Sequence, residues 1–375
     1  MCLTVVNNQK YYTEIYFVLN IHFVLSFQMN TTDYNTTVLS SAPTIASTTG
    51  YSSIIEIYDI HIPIIYIISK SKILLYIIGF PANVLSCILW LRSPLRHSSG
   101  CYFAALAVSD DVFLVLSVVY ELQNTWDLNT LHYPIICEMF PVFYLAVQYL
   151  SPLLTLAFTI ERYISIRFPL KRRQFCTVKR AKLVIFCMTL FVILVSTIQC
   201  YFWKYVSGSC KIREEVFSNN FRTNWNWVTE TTMFIIVPFL ILIFNIMVIY
   251  TMRQTKKRVK RLYGPIPPRK RSANTKTLLV VSFYLIFTTF PVSVMYILSD
   301  HFISSTAQTL NYEFVSNNIT WQRHLKFMVA RSIVYLFGIS HYALNFFLYL
   351  TTGKRFRREL KKLVKKVLTH CKLKK

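Results

Sequence analysis

Residues 134–168 carry reactive and ionisable side chains at both ends of an apolar stretch. Cys137 lies near its start, and Glu161, Arg162 and Tyr163 lie near its end. In an α-helix the 25 positions from the cysteine to the arginine extend about 37 Å, more than the ~30 Å hydrocarbon core of a bilayer. The expected chemistry is a thiol beyond one face of a membrane and, at the other face, an ionisable Glu-Arg pair that needs a partner or an aqueous interface. The alternative is a charge pair that only anchors the helix end.

The composition is typical of membrane helices. Hydrophobic residues make up 54% of the 375 residues and aromatic residues 16%, and the mean hydropathy is +0.42. A soluble domain of this length is rarely so apolar, whereas a bundle of membrane helices is. Several cysteines lie inside apolar stretches, so a disulfide-dense scaffold is not indicated. The fold class expected is an all-α membrane protein.

Seven apolar spans are long enough to cross a bilayer. They are 63–91, 99–125, 134–168, 181–203, 228–252, 275–299 and 325–350. We expect a seven-transmembrane helix bundle over 63–350. Residues 1–62 form an extracellular segment before it, and residues 351–375 form a basic cytoplasmic tail after it.

The positive charge indicates how the chain is oriented. The net charge is +25, and 30 of the 41 Lys and Arg residues fall in 92–96, 167–182, 253–276 and 354–375, between or after the spans. Basic residues beside span ends mark the cytoplasmic side and suit anionic lipid or an acidic partner. Nucleic acid is not expected, because basic and aromatic residues do not share one exposed face. The protein is expected in the plasma membrane, with its C-terminus inside.

Three glycosylation sequons agree with this orientation. They begin at Asn30, Asn35 and Asn318, and the topology places all three outside. Cys210, between spans four and five, is also outside, where disulfides are permitted. We pair it with Cys137; the alternatives are two free thiols or Cys200 as the partner.

Both ends of the chain have distinct features. Residues 1–28 are an upstream extension or a degenerate signal, with Met29 as the working start, and 29–58 are expected to lack regular structure. A basic amphipathic eighth helix follows span seven; its apolar stripe is Phe356, Leu360, Leu363, Val364 and Leu368. Cys371 beyond it is either acylated or unmodified.

The ordered set of motifs resembles the rhodopsin-like (class A) G-protein-coupled receptors over about 63–368. Besides the features above, the matching pieces are Asn83 in GFPANVLS, Asp110 in LAVSD, Pro238, Pro291 and NFFLY at 345–349. NFFLY followed by TTGKRFRREL resembles the invertebrate FMRFamide-type neuropeptide receptors. Two departures concern the switch: Phe346 replaces a proline, and Thr288-Thr289-Phe290-Pro291 lacks the usual tryptophan. Phe290 or Thr289 must then act differently from the usual toggle.

The resemblance implies a role for each polar residue of the inner half. Arg162 would be held by Glu161 at rest and released towards a heterotrimeric G protein, with Asn345 and Tyr349 as partners. Arrestin and membrane lipids are the other partners implied. The basic stretch 253–276, which begins as an extension of span five, would be a contact surface for the G protein. A lipid-facing or purely topogenic role for that stretch remains an alternative.

The resemblance also implies a sodium ion as an allosteric modulator. Asp110 would bind it with Ser151 and Asn345, and an alternative for Asp110 is a hydrogen bond to Asn83. His341, one turn before Asn345, stands where another oxygen donor would be expected. No other metal or cofactor is implied.

The sequence says more clearly which classes of ligand are disfavoured than which ligand binds. Tyr144 takes the place of the aspartate of amine receptors, and 332–350 contains no lysine for retinal. Acidic and aromatic residues remain near the outer ends, which suits a basic, probably amidated peptide through Arg–carboxylate pairs and ring stacking. The ligand-binding residues we select are Glu121, Tyr144, Gln148, Tyr296 and Asp300, with Glu121 and Asp300 for a peptide arginine.

Other classes of function remain as alternatives. A small non-peptide ligand or a chemosensory role would use the same receptor switch. A transporter predicts internal repeats and broken helices, which the sequence does not show. An enzyme is not expected, because glycine-rich phosphate loops, HExxH and GxSxG are all missing from the sequence.

Overall fold

The computed structural model describes residues 48–92, 95, 97–126, 128–206, 208–213, 221–263, 273–307 and 319–373. Asn30, Asn35 and Asn318, the segment 1–28 and the Gly-Pro break after residue 263 lie outside these ranges. Asp300 and Cys371 lie in described helices, but their side chains are outside the description. The glycosylation and acylation hypotheses therefore stay predictions.

The described chain is almost entirely helical. The long helices are α1 (Thr48–Leu91), α2 (Ser98–Asn124), α3 (Pro134–Arg167), α4 (Val178–Ser196), α5 (Val237–Tyr263), α6 (Ala273–Ala307), α7 (Ile319–Thr352) and α8 (Lys354–Leu373). Short helices at Arg172–Phe175 and Gln199–Phe202 flank α4, and Phe221–Thr231 followed by a π-helical turn, Thr232–Ile236, leads into α5.

Among the described residues, seven helical segments are long and apolar enough to cross a membrane, as predicted. They are Pro63–Leu91, Ser98–Asn124, Pro134–Arg167, Val178–Phe202, Phe221–Leu262, Thr275–Tyr296 and Leu325–Thr352. The fifth differs most from its prediction, because polar residues at both of its ends continue the helix beyond the apolar part. The predicted seven-helix bundle is confirmed.

One prediction about the N-terminal segment is wrong. Residues 48–58 were expected to lack regular structure, but α1 begins at Thr48. Residues 51–62 contain neither glycine nor proline and include five isoleucines. Nothing local therefore breaks the helix before Pro63, and the apolar span can propagate backwards into this segment.

A close approach of α1 to α2 and α7 positions the polar centre of the bundle. A Cβ on Gly79 would lie 2.7 Å from Leu114 Cδ1 and 2.8 Å from Ala343 Cβ, so only glycine fits between the three helices. One turn later the side-chain amide of Asn83 donates a hydrogen bond to the carbonyl oxygen of Tyr342, at 2.7 Å. The glycine thus lets an α1 side chain reach the α7 backbone.

Proline shapes the start of α5. Pro238 has no N–H for the carbonyl oxygen of Phe234, four residues earlier. The π-helical turn Thr232–Ile236 ends just before this proline, and Ser293 Oγ of α6 donates to the Phe234 oxygen instead, at 2.8 Å. This bond ties α6 to the irregular part of the fifth span.

A small hairpin covers one end of the bundle. Strands β1 (Trp203–Val206) and β2 (Ser209–Ile212) are antiparallel, and Gly208 takes the left-handed turn position at φ 83°. A Cys137–Cys210 disulfide with a Cα–Cα distance of 5.5 Å ties β2 to α3, so that predicted pairing is confirmed. Cys200 is a free thiol.

The segment between α2 and α3 supports the hairpin. His132 Nδ1 accepts a hydrogen bond from the backbone N–H of Cys210, at 3.1 Å. Burial lowers the pKa of His132, which keeps the ring neutral and Nδ1 able to accept. We call this end of the bundle the hairpin end, and the opposite end, where α8 lies, the tail end.

The predicted amphipathic eighth helix is present as α8, but its apolar stripe divides. Phe356 is 1% exposed against the bundle, and Leu360 and Leu363 pack on the same core. Val364 and Leu368 are exposed. Arg357 of this helix donates to the last carbonyl oxygens of α7, those of Leu350 and Thr351. The helix is thus fixed at its start and presents an apolar edge further on.

Candidate functional site

A cavity of about 100 Å³ opens among the helices in the hairpin-end half of the bundle. Aromatic, hydroxyl and ionisable side chains from six helical spans line it: Tyr76, Phe113, Ser117, Tyr120, Glu121, Tyr144, Gln148, Glu230, Phe234, Thr289, Val292, Tyr335, Gly338, Ile339, His341 and Tyr342. Three of the five predicted ligand-binding residues, Glu121, Tyr144 and Gln148, are among them. A cavity with few polar groups in an aromatic wall is the usual form of a ligand site.

Of the other two predicted ligand-binding residues, Tyr296 is not among the residues that line the described cavity. Tyr296 packs its ring edge-on against Trp227, with ring centroids 5.9 Å apart. Asp300 lies on α6 one turn further along, and its side chain is outside the described part of the structure. The proposed pairing of Asp300 with a ligand therefore stays a prediction.

Glu121 is already occupied by a lysine from α1. Lys72 Nζ lies 2.5 Å from Glu121 Oε1, with the two side chains 3% and 9% exposed. Thr125 Oγ1 donates to the other carboxylate oxygen, at 2.6 Å. The choice of Glu121, with Asp300, for a peptide arginine stays a prediction, but in this structure the carboxylate already has Lys72 as its partner. A buried carboxylate needs a counter-charge, and Lys72 supplies it from within the protein.

Glu230 is the second carboxylate of the cavity, and its surroundings are different. Tyr149 donates its hydroxyl hydrogen to Glu230 Oε1, at 2.8 Å, and no salt bridge to Glu230 occurs among the described residues. Glu230 is not among the ligand-binding residues selected from the sequence. The signal was available, because Glu230 is the only acidic residue between 221 and 262 and an ionisable residue inside a span is a functional candidate.

His341 adds a polar atom to the same cavity. Its side chain is 3% exposed, and Nδ1 lies 2.7 Å from the carbonyl oxygen of Gly338. A carbonyl oxygen only accepts, so Nδ1 carries the hydrogen and Nε2 of the neutral ring is an acceptor. Nε2 is buried without a hydrogen-bond partner in the described structure. Sequence reasoning had considered His341 only for the sodium site.

The missing tryptophan of the sixth span is replaced by a small polar residue. Thr289 is 5% exposed, lines the cavity, and donates its hydroxyl to the carbonyl oxygen of Leu285. Phe290 is 65% exposed on the outer face of α6. Of the two residues considered for an altered toggle, Thr289 is the one that faces the cavity.

A polar network lies between the cavity and the tail end. Asp110 is fully buried and accepts hydrogen bonds from Ser151 Oγ, at 3.1 Å, and from Asn345 Nδ2, at 2.7 Å. The sequence-predicted trio is therefore in contact. Asn83 bonds to the α7 backbone instead, so the alternative hydrogen bond between Asn83 and Asp110 is not formed.

The Asp110 network offers few ligands to a sodium ion. Hard cations prefer oxygen donors. Asn345 presents its amide nitrogen to Asp110, His341 can add only ring nitrogens, and Ser151 uses its hydroxyl hydrogen on the carboxylate. Only the Asp110 carboxylate and the Ser151 hydroxyl supply oxygens, so the residues present fit a sodium ion poorly.

The ionisable residues at the tail end of α3 are arranged differently from the prediction. Glu161 accepts a hydrogen bond from Ser98 Oγ of α2, at 2.6 Å, and no salt bridge joins it to Arg162 among the described residues. The Arg162 guanidinium lies over the Phe158 ring, 4.9 Å from its centroid, and its Nε is buried without a hydrogen-bond partner. The prediction that Glu161 holds Arg162 is thus wrong for this structure, because adjacent helix residues point in different directions.

Tyr349 is held away from Arg162 by an aromatic cluster. Its ring is fully buried against Trp90, Phe103 and Phe356, with ring centroids 5.0–5.6 Å apart, and its hydroxyl is without a hydrogen-bond partner in the described structure. Phe103 also packs edge-on against Phe158, which carries Arg162. Two rings therefore separate the tyrosine from the arginine.

The remaining switch residues also have structural partners. Asn345 is bound to Asp110, and Tyr163 packs edge-on against Phe244 of α5. Phe346, at the position where a proline was expected, is 9% exposed and contacts Phe356 of α8. The phenylalanine thus joins α7 to the eighth helix.

Comparison with known proteins gives one family and several relatives. The family model described as "7 transmembrane receptor (rhodopsin family)" matches residues 82–356. Growth hormone secretagogue receptor type 1 of Homo sapiens is 27% identical over 126 residues, 33% of this chain and 34% of that receptor. The thyrotropin-releasing hormone receptor of Gallus gallus is 31% identical over 131 residues, 34% of this chain and 31% of that receptor. The chain thus spans about a third of the length of these relatives.

Proposed function

Because the chain belongs to the rhodopsin family of seven-transmembrane receptors, we propose that it binds an extracellular peptide at the hairpin-end cavity and signals through a G protein at its tail end. Membership of this family makes the protein a multi-pass membrane receptor and not an enzyme. The single observation that carries the proposal is the cavity itself, which aromatic rings and two glutamates line beneath a disulfide-tied hairpin.

The orientation follows from the charge distribution. We propose that the hairpin end is extracellular and the tail end cytoplasmic, with the protein in the plasma membrane. The sequons at Asn30, Asn35 and Asn318 and the basic stretches at 167–182, 253–276 and 354–375 support this assignment.

The wall of the cavity supports a peptide ligand. Tyr144 lines the cavity where an amine receptor would present an aspartate, which disfavours an amine, and the missing lysine in 332–350 disfavours retinal. By name, one relative above is a receptor for a growth hormone secretagogue and the other for thyrotropin-releasing hormone. The resemblance of NFFLY and TTGKRFRREL to FMRFamide-type receptors favours an amidated peptide that contains arginine and phenylalanine.

The small volume of the cavity favours a second candidate. At about 100 Å³ the cavity is smaller than the ~300–1,000 Å³ typical of sites for drug-sized ligands, so it suits a single ligand side chain. A peptide would insert one side chain there and rest on the hairpin end with the remainder. A small non-peptide ligand or a chemosensory stimulus would lie entirely inside the cavity.

The tail end has the features that a cytosolic partner needs. Arg162 is always charged and half-buried, so it can exchange the Phe158 ring for a new partner. The basic extension of α5 reaches Tyr263, and α8 presents lysines beside exposed Val364 and Leu368. We expect a heterotrimeric G protein and arrestin at this end, and anionic lipid along α8.

Sodium is the one cofactor to test. Because the donors around Asp110 fit sodium poorly, agonist affinity is expected to be the same in sodium chloride and in choline chloride. Radioligand competition in membranes measures this directly. A lower affinity in sodium chloride that disappears in Asp110→Asn would instead establish the sodium site.

A second-messenger assay tests the proposed function. Cells expressing the chain would be exposed to a panel of amidated neuropeptides, beside amines, nucleotides and lipids. A saturable response to one peptide series is expected. A response only to a small molecule would replace the peptide by the second candidate, and silence to every compound with the receptor at the surface would contradict both.

A further inference from the structure

The two carboxylates of the cavity are electrostatically unequal. Glu121 and Lys72 form a buried pair with no net charge. Glu230 has a hydrogen bond from Tyr149, but the described residues supply no salt bridge to it. The negative charge left without an ionic partner in the cavity is therefore that of Glu230.

The cavity presents a second acceptor that lacks a donor. His341 Nε2 is buried, points its lone pair away from the Nδ1–Gly338 bond, and has no hydrogen-bond partner in the described structure. A buried acceptor that lacks a donor is unfavourable, because it has lost the hydrogen bond that water would give it. A group that donates several hydrogens and carries a positive charge would satisfy both acceptors at once.

We propose that Glu230 of the fifth span, assisted by His341 Nε2, is the site that receives the cationic group of the ligand, and that Glu121 is not. The guanidinium of an arginine side chain fits this pair of acceptors best, because its five N–H donors are arranged in a fixed plane. The inference rests on the proposed function, since it names the part of a peptide that enters the cavity.

Tyr149 and the irregular turn hold Glu230 in place. The tyrosine is 2% exposed, and its ring contacts Phe234 edge-on at 5.9 Å. Phe234 is in turn held by the bond from Ser293 to its carbonyl oxygen. The acidic side chain is therefore supported by α3, by the π-helical turn that precedes α5 and by α6, which is the arrangement expected of a preorganised binding group.

The test measures the charge of the cavity and needs no agonist. Thr289→Cys places a thiol in the cavity wall with little change in size. Purified full-length receptor in nanodiscs is treated with a cationic or an anionic methanethiosulfonate reagent, and the modification of residue 289 is timed by mass spectrometry. The chain without the added cysteine measures the background.

The ratio of the cationic to the anionic rate reports the potential at the thiol. Glu230→Gln is expected to lower this ratio about tenfold, as Coulomb's law gives for one unit charge about 6 Å away even in the dielectric of water. The joint variant Lys72→Gln with Glu121→Gln is the matched control, because it removes a neutral pair, and it should change the ratio less than twofold. Tyr149→Phe keeps the charge of Glu230 and should leave the ratio high.

Two results would overturn the inference. One is a folded Glu230→Gln variant whose ratio of cationic to anionic rates equals that of the wild type and of Tyr149→Phe. The other is a thiol that neither reagent reaches, which would mean that the cavity is closed to charged groups. Since no peptide is used, failure to find a peptide agonist would leave the result intact and count only against the proposed function.

Discussion

Replacing Arg162 by alanine should abolish G-protein activation by the receptor while leaving its surface level unchanged. The guanidinium is the permanently charged group at the tail end of α3, and no salt bridge to Glu161 restrains it. Its removal deletes the charge that a cytosolic partner would meet and leaves the Phe158 ring uncovered. We expect the maximal second-messenger response to fall at least about tenfold, the effect of losing ~1.4 kcal/mol of a charge-assisted contact.

Two variants control this prediction. Arg167→Ala removes an exposed arginine from the same end of the same helix and should leave the response within a factor of two. Arg162→Lys keeps the charge but not the planar donor geometry, so it should recover only part of the response. A full response from Arg162→Ala at equal surface expression would remove Arg162 from the switch.

Breaking the Lys72–Glu121 pair should be among the most destabilising single changes in the molecule. Lys72→Met leaves Glu121 as a buried carboxylate without its counter-charge, and Glu121→Met leaves a buried ammonium. Removal of one partner of a buried ion pair costs about 3–5 kcal/mol. Thermal unfolding of the purified receptor in detergent would show the loss as a marked fall in the unfolding temperature.

The double variant distinguishes the effect of leaving one charge unpaired from the effect of changing the side chains at these two positions. Lys72→Met with Glu121→Met fills similar volume with apolar groups and leaves no charge unpaired, so it should be close to wild type in stability. If the two single variants unfold at the wild-type temperature, the pair is not formed in the native receptor. Glu121 would then regain its predicted role as an acceptor for the ligand.

Features that depend on local hydropathy or on a sequence motif could be predicted from the sequence. The seven spans follow from runs of apolar residues. The topology then made Cys137 the preferred partner of Cys210, although it left Cys200 and two free thiols as alternatives. The contact of Asp110 with Ser151 and Asn345 came from the family resemblance. In each case either hydropathy or a shared motif contained the information.

Contacts that depend on how helices rotate about their axes could not be predicted. The Lys72–Glu121 pair joins residues 49 positions apart, and hydropathy does not say which face of α1 meets α2. Glu161 and Arg162 are neighbours in sequence, yet one faces Ser98 and the other Phe158. The helical extension of α1 was missed because its Thr- and Ser-rich surroundings resemble disordered segments.

One experiment tests whether ligand binding in the cavity leads to G-protein activation at the tail end. Thr289→Trp places an indole in a cavity of about 100 Å³ without touching the tail end. Ligand binding and ligand-stimulated nucleotide exchange on a G protein would be measured in the same membranes for wild type, Thr289→Trp and Arg162→Ala. If the ligand occupies the cavity and Arg162 meets the G protein, Thr289→Trp loses both binding and exchange, whereas Arg162→Ala loses exchange and keeps binding. Undiminished binding by a folded Thr289→Trp receptor would contradict binding in the cavity, because the ligand would then occupy some other site.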